Sequence, residues 1–440
     1  MEEILNNLDE KCVSELIYIT LIENCPQLKK FKDRLTMNNP NKLEDNLKAK
    51  YKACEEAAQK KYNEFSENIT KQLANYKPTR IFMDGVFDII HSGHFNALRQ
   101  AQYLGDILVC GLNSDDEVAK AKGKTLMDIK ERSALAGSSK WVGDMALNTP
   151  YTPTIETLDE FNCDYIAHGD DIPTNEQGKT IYDEIIAKKR LRVFRRTEGI
   201  STTIIIGRLL LGMKDKFDSL DEKIPENLKI KKSYTELENT SNLQFENMST
   251  LLTTSYRISE FSNKKLPKPG DKIVYICGEF DVLHQVHIEA LKKVKELGDY
   301  VYVGVYDDFV VNKRKGKYHP VLNINERCLN LLALKYVDDV IFGAPERINQ
   351  ELIKSLNVNI VVQFITPKMK EGKCDKEEKN YETAKNLGIL KEVEISGELT
   401  NDVLSERIWE NKEQYIKKYI VKIQKVDAHI KIDGQEVQQI

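Results

Sequence analysis

The apolar run Ile81-Phe82-Met83 is short, unbroken by polar residues and soon followed by a glycine turn, the pattern of a strand buried on both faces. The spacing of apolar positions then changes. Ala97, Leu98, Ala101 and Leu104 recur at intervals of one, three and three, which predicts a helix behind that turn. Residues 107–111 predict a second strand and residues 165–167 a later one. Strands alternating with helices predict a parallel sheet covered by helices on both faces.

The pattern occurs twice. The string G-V-F-D-I-I-H-S-G-H at 85–94 is answered by G-E-F-D-V-L-H-Q-V-H at 278–287. Phe87, Asp88, His91, His94, Leu98, Gly105, Asp106, Gly111, Lys122 and Gly123 all reappear 193 positions later. After a two-residue slip, Glu131-Arg132 recurs as Glu326-Arg327 and Lys140 as Lys335. This predicts a tandem duplication of one α/β domain.

The expected division is a helical extension at 1–78, a first domain at 79–213, a linker at 214–250, a second domain at 251–410 and a tail at 411–440. In the extension, Leu47, Tyr51, Cys54, Ala58, Tyr62, Phe65, Ile69, Leu73 and Tyr76 form an apolar stripe at three- to four-residue spacing, ending near Pro78. It is expected to pack on the first domain, with a homodimer contact as the other use. The linker is rich in Lys, Glu, Asn and Ser.

Composition narrows the function. The chain has 440 residues, 65 basic and 69 acidic, a net charge of −4, which argues against a general nucleic-acid binder. No apolar run reaches the roughly 18–20 residues of a bilayer span, and the Met1-Glu2-Glu3 start is unlike a secretory signal. Eight cysteines without a C-x-x-C pair read as reduced, mostly buried thiols of a cytoplasmic protein rather than zinc ligands or a disulfide scaffold. No stable membrane insertion is expected.

Candidate chemistry sits where the first strand meets its helix. His91-Ser92-Gly93-His94 brings two imidazoles to a helix N-terminus, whose free N–H groups suit a phosphate. Gly93 is expected to leave room for phosphate or sugar to approach the backbone. Lys120, Lys122 and Lys124 form K-A-K-G-K downstream, a clamp for β- and γ-phosphates. Arg195-Arg196-Thr197-Glu198-Gly199-Ile200-Ser201-Thr202-Thr203 precedes an apolar helical run and reads as a helix cap built around an anion.

H-S-G-H at 91–94 and R-T-E-G-I-S-T-T at 196–203 resemble the two signatures of the nucleotidyltransferase superfamily, and within it of the cytidylyltransferases that make CDP-alcohols for phospholipid synthesis. Two Rossmann-like nucleotidyltransferase domains in tandem are similar to the branch acting on phosphoethanolamine. The resemblance covers residues from about 79 to 410 and implies CTP plus phosphoethanolamine giving CDP-ethanolamine and pyrophosphate. Mg²⁺ would be carried on the CTP phosphates, with no dedicated protein metal site.

It also implies roles. Gly85, Val86 and Phe87 with His91, Gly93 and His94 would hold CTP, as would His168, Gly169 and Asp170. His91 and His94 would stabilise the pentacoordinate α-phosphate and Lys122 the departing pyrophosphate. Arg196, Thr197, Gly199, Ile200, Ser201 and Thr202 would grip phosphate oxygens. Asp88, Arg132, Tyr151, Asp171 and Tyr182 would face the amino-alcohol, Tyr151 and Thr174 standing where the choline enzymes carry aromatic walls for a quaternary ammonium.

The second repeat keeps His284 and His287 but has Gln285-Val286 between them, Cys277 in place of Asp84, and Ser396-Gly397-Glu398-Leu399-Thr400-Asn401-Asp402 in place of the arginine-bearing signature. Valine should fill the approach to the backbone, and Glu398 and Asp402 should repel a triphosphate. The second domain is therefore expected to be inactive. The alternatives are choline-phosphate or glycerol-3-phosphate transfer, a non-catalytic CTP-binding regulator, and a class I aminoacyl-tRNA synthetase, which lacks a matching K-M-S-K-S loop here.

Overall fold

The computed structural model describes residues 76–172, 180–197, 199–212, 255–316, 319–365, 379–395 and 401–418, with isolated positions between 63 and 74. The predicted linker and all of the predicted amphipathic stripe except Tyr76, which is exposed, lie outside the described residues. The chain divides into two units, Met1–Pro78 and Thr79–Ile440, and both repeats belong to the second.

The first repeat runs β1 (Arg80–Gly85), α1 (Ser92–Gln102), β2 (Ile107–Asn113), α2 (Asp115–Lys122), α3 (Ile129–Ala136), β3 (Asp144–Thr149), α4 (Ile155–Glu160), β4 (Tyr165–Gly169), α5 (Asp183–Ala187), β5 (Leu191–Phe194) and α6 (Thr202–Gly212). The second repeats the series as β6 (Ile273–Gly278), α7 (Gln285–Lys295), β7 (Tyr300–Val305), α8 (Asp308–Lys315), α9 (Ile324–Leu332), β8 (Asp339–Phe342), α10 (Gln350–Ser355), β9 (Ile360–Ile365), α11 (Glu382–Asn386), β10 (Leu390–Glu394) and α12 (Asn401–Glu410).

Each repeat is a five-stranded parallel sheet, ordered β3-β2-β1-β4-β5 and β8-β7-β6-β9-β10. The expected α/β, Rossmann-like tandem is what forms. Apolar strands buried on both faces place Phe82 on one side of the first sheet and Ile81 and Met83 on the other, as the pleat requires. Polar residues end the loops: Ser114 caps α2 through the Glu117 amide at 3.2 Å, and Asp128 and Glu131 form a capping box on α3. The four described cysteines, Cys110, Cys163, Cys277 and Cys328, are buried and free.

The repeats pack as a pseudo-dimer. Helix α1 lies on α9, and α3 lies on α7, so each helix meets the counterpart of its neighbour. Ser139 and Leu334, equivalent positions, form an antiparallel bridge in which the Lys140 amide donates to the Ala333 carbonyl and the Lys335 amide to the Ser138 carbonyl, both at 2.9 Å. One apolar core runs through both repeats. The two last helices, α6 and α12, also pack together.

Candidate active site

The first sheet reverses its winding between β1 and β4, and at the carboxyl ends of these strands lies a cleft of about 770 Å³. Such a switch point is where a doubly wound sheet leaves a crevice between diverging loops. The cleft is lined by the β1–α1 turn, the loop after α2, the end of β4, and the start of α6.

His91 caps α1, its Nδ1 accepting the Gly93 amide at 3.1 Å. In the neutral ring this leaves the proton on Nε2. The His94 ring lies 4.0 Å from that of His91, centre to centre, and its Nδ1 is buried without a hydrogen-bond partner among the described residues. Burial, followed by the cations Arg196 and Lys122, pushes His94 down to about 4; burial and then His94 and Arg196 hold His91 far below its usual range. Both rings are therefore neutral N–H donors near pH 7 until an anion enters.

Gly93 lines the cleft, and its lack of a side chain has a second use beside the one expected. A Cβ there would stand 2.9 Å from the His91 ring and 3.0 Å from the Ile200 methyl. The space a side chain would need is taken by these two groups, so the glycine lets His91 fold back onto the helix start and Ile200 close over it.

Lys122 and Lys124 line the cleft on either side of Gly123, whose φ of +90° ends α2 in a conformation that side chains resist. Lys120 points elsewhere and pairs with Glu117 at 3.0 Å. At the start of α6, the Ser201 hydroxyl accepts the Ile204 amide at 3.3 Å, and Thr202 donates to the Asp88 carbonyl at 3.0 Å. Thr197 accepts from Asn96 at 2.8 Å, and Arg196 pairs with Asp171. Gly85, Val86, Phe87, His168, Gly169 and Ile200 complete the expected lining.

Other expected residues stand outside that lining. Arg132 is fully buried and donates to the Val86 and Asn113 carbonyls at 2.6 and 2.8 Å while pairing with Asp115 at 2.6 Å. Its repeat, Arg327, makes the same bonds to Glu279, Tyr306 and Asp308, so this arginine braces the fold in both domains. Asp88 does line the cleft, but its carboxylate accepts the Leu126 and Met127 amides at 2.8 and 3.0 Å, as Asp281 accepts Val321 and Leu322. Tyr182 is buried behind His168, Tyr151 lies under the Lys122 ammonium at 5.3 Å, and Asp170 accepts the Arg196 amide at 2.9 Å. Gly199, with φ of +83°, shapes the loop without lining the cleft, and Thr174 lies outside the described residues.

Three titratable cleft residues escaped the sequence reading. Asp84, at the end of β1, is pushed up to about 6 by burial, against the pull of its bond from Asn113 at 3.3 Å and of His168 and Lys122. Its only signal was its replacement by Cys277 in the repeat. Tyr415 and Lys418 arrive from the far end of the chain, and no spacing pattern announces them.

In the second domain the imidazole pair is kept, His284 and His287 lying 3.9 Å apart, but Lys315 is held by Glu279 at 2.5 Å. Glu279 occupies the position of Val86, so an internal carboxylate neutralises the would-be phosphate lysine. Val286 is buried in the core, and the Cys277 thiol sits 3.3 Å from the Tyr306 hydroxyl. Gln363-Phe364-Ile365 form part of β9, while Thr366 and the predicted repelling segment 396–400 lie outside the described residues, as does the Asp402 side chain.

A doubly wound sheet with paired neutral histidines and lysines facing a hydroxyl-capped helix start defines a nucleotidyltransferase. The cytidylyltransferase-like family matches residues 82–208 and 275–385. The ethanolamine-phosphate cytidylyltransferase of Dictyostelium discoideum is 41% identical, with 78% of this chain and 93% of that protein aligned. That of Arabidopsis thaliana is 37% identical over 79% and 84%. Choline-phosphate cytidylyltransferase A of Rattus norvegicus is 39% identical over 30% of this chain and 37% of its own. The chain belongs to the ethanolamine-phosphate cytidylyltransferases.

Proposed function

We propose that the first domain transfers CMP from CTP to phosphoethanolamine, giving CDP-ethanolamine and pyrophosphate. The observation carrying this is the convergence of His91, His94, Lys122, Lys124, Arg196 and the α6 start on one cleft at the β1/β4 switch point. A phosphate oxygen of phosphoethanolamine attacks the α-phosphorus, forming a P–O bond as the α–β bridging bond breaks and its electron pair leaves with pyrophosphate. Imidazole N–H groups and lysine ammonium groups stabilise the charge that grows on the equatorial and leaving oxygens. The triphosphate itself raises the histidines' affinity for protons, strengthening their donation.

Mg²⁺ fits this site as a passenger on the triphosphate. Among the described residues no cluster of three or more His, Cys, Asp or Glu forms a cage. Of the lining carboxylates, Asp88 is engaged by amides and Asp171 by Arg196, while Asp84, held by the longer Asn113 bond at 3.3 Å, would share the ion. One carboxylate plus phosphate oxygens is a common Mg²⁺ donor set, and the ion would neutralise β- and γ-phosphate charge.

The second domain is read as inactive, since Glu279 competes for Lys315 where a phosphate would bind. The division at 1–78, 79–213, 214–250, 251–410 and 411–440, a cytoplasmic setting and independence from nucleic acid belong to the same reading. A homodimer would have to use another face, because the repeats occupy this one with each other. Among the described residues, no helix is long and apolar enough to cross a membrane. Incubation with CTP, Mg²⁺ and each phospho-alcohol, followed by pyrophosphate measurement, tests the assignment. Release with phosphocholine but not phosphoethanolamine would overturn it. Substantial turnover by full-length His91→Ala would overturn the single-site reading.

A further inference from the structure

After α12, the helical residues 412–418 cross to the first domain's cleft. There the second domain's last helix and the tail after it meet the phosphate-clamp loop at three alternate main-chain carbonyls. Lys418 Nζ donates to the Lys122 carbonyl at 2.7 Å, the Tyr415 hydroxyl to that of Lys124 at 3.3 Å, and Arg407 to that of Leu126 at 2.8 Å. Carbonyls satisfied on every second residue hold the loop in one path. Gln414 closes over Gly123, where an added Cβ would lie 2.4 Å from its amide nitrogen.

Lys418 does more than bond a carbonyl. Lys418 lines the cleft beside Lys122, and among the described residues neither lysine is paired with a carboxylate. Partial burial and the charge of Lys122 push the Lys418 ammonium towards losing its proton, against the smaller pull of the Asp88 carboxylate. Two cations held together against their repulsion, at the mouth of a cleft, favour a polyanion between them. An ammonium with one bond to a carbonyl has two further N–H donors to give.

We propose that Lys418, supplied by the tail that continues from the second domain's last helix, is a binding group for the β- and γ-phosphates of the nucleoside triphosphate in the first domain's cleft. This rests on the reading that the cleft takes CTP. It gives the chain that follows the second domain a part in the reaction without chemistry of its own: the tail leaving α12 completes the phosphate site of the first domain.

The test compares full-length wild type, Lys418→Ala and Lys418→Arg by calorimetric titration with Mg²⁺–CTP and with CMP, which lacks the two outer phosphates. The expected result is CTP affinity about tenfold weaker in Lys418→Ala, the size of one charge-assisted hydrogen bond. CMP affinity should stay within about twofold, and Lys418→Arg should recover most of the loss. CTP binding unchanged in Lys418→Ala would overturn the proposal, and so would equal weakening of CTP and CMP, which would mean that Lys418 acts only by ordering the loop. Should Lys418→Ala fold poorly by its thermal melt, Lys418→Gln carries the same comparison. Wild type that binds CTP but releases no pyrophosphate with phosphoethanolamine would sink the functional reading and leave this one standing. Wild type that binds no CTP sinks both.

Discussion

Arg208 of α6 and Arg407 of α12 make the same bonds in opposite directions across the pseudo-dimer. Arg208 reaches the Val321 carbonyl and the Glu326 carboxylate at 3.2 and 2.8 Å; Arg407 reaches the Leu126 carbonyl and Glu131 at 2.8 and 2.7 Å. Leu126 and Val321 are equivalent positions, as are Glu131 and Glu326. Duplication followed by packing about a local two-fold produces such reciprocal pairs. Only one of them holds a loop that lines the 770 Å³ cleft.

Arg407→Ala should therefore weaken both the fold and the site. Glu131, buried and bonded twice by Arg407, would lose its cation, and the Leu126 carbonyl its donor. The expected cost is about 1–3 kcal/mol, limited by the partial exposure of the arginine. A urea midpoint together with a CTP titration checks this; a lowered midpoint with full CTP affinity would contradict the coupling.

Replacing His91 or His94 with alanine should lower turnover by about 10²–10³, the usual cost of one transition-state donor. The same change at His284 should leave turnover within about twofold, because Lys315 beside it is already neutralised by Glu279. Steady-state pyrophosphate release distinguishes the two domains.

Asp84→Asn should stabilise the unliganded protein at pH 7.5 and lose that advantage in acid. The folded carboxyl titrates near 6 rather than 3.8, so the native state binds the proton more tightly than the unfolded chain. Its burial cost is complete above pH 6 and is relieved as pH falls from 6 to about 4. The difference from wild type should reach about 2–3 kcal/mol at pH 7.5 and shrink towards zero near pH 4. A stability difference that does not depend on pH would exclude a buried charge as its source.

Gly93→Ala should impair catalysis through His91. The new methyl would meet the imidazole at 2.9 Å and Ile200 at 3.0 Å, so one of them has to move. Loss of about 1–2 kcal/mol in stability is expected from the overpacking, with kcat falling further than the melting temperature suggests. Unchanged kcat would show that the ring's placement is immaterial.

What the sequence determined by itself was the repeating plan. Apolar runs and the offset between repeats announced two parallel sheets, and H-S-G-H, the lysine loop and the hydroxyl-rich helix start announced a phosphate site, because these features are local in the chain. Motifs that follow a strand and open a helix carry their geometry with them. The tertiary structure decided which of those residues face the cleft and which brace it. Arg132 and Asp88 recur in both repeats as structural ties, something a residue type cannot reveal, since a guanidinium bonds a carbonyl as readily as a phosphate. Tyr415 and Lys418 reach the site across about 290 residues of chain, and such long-range proximity has no periodicity to read. It exists only because the second repeat packs on the first and turns its last helix back.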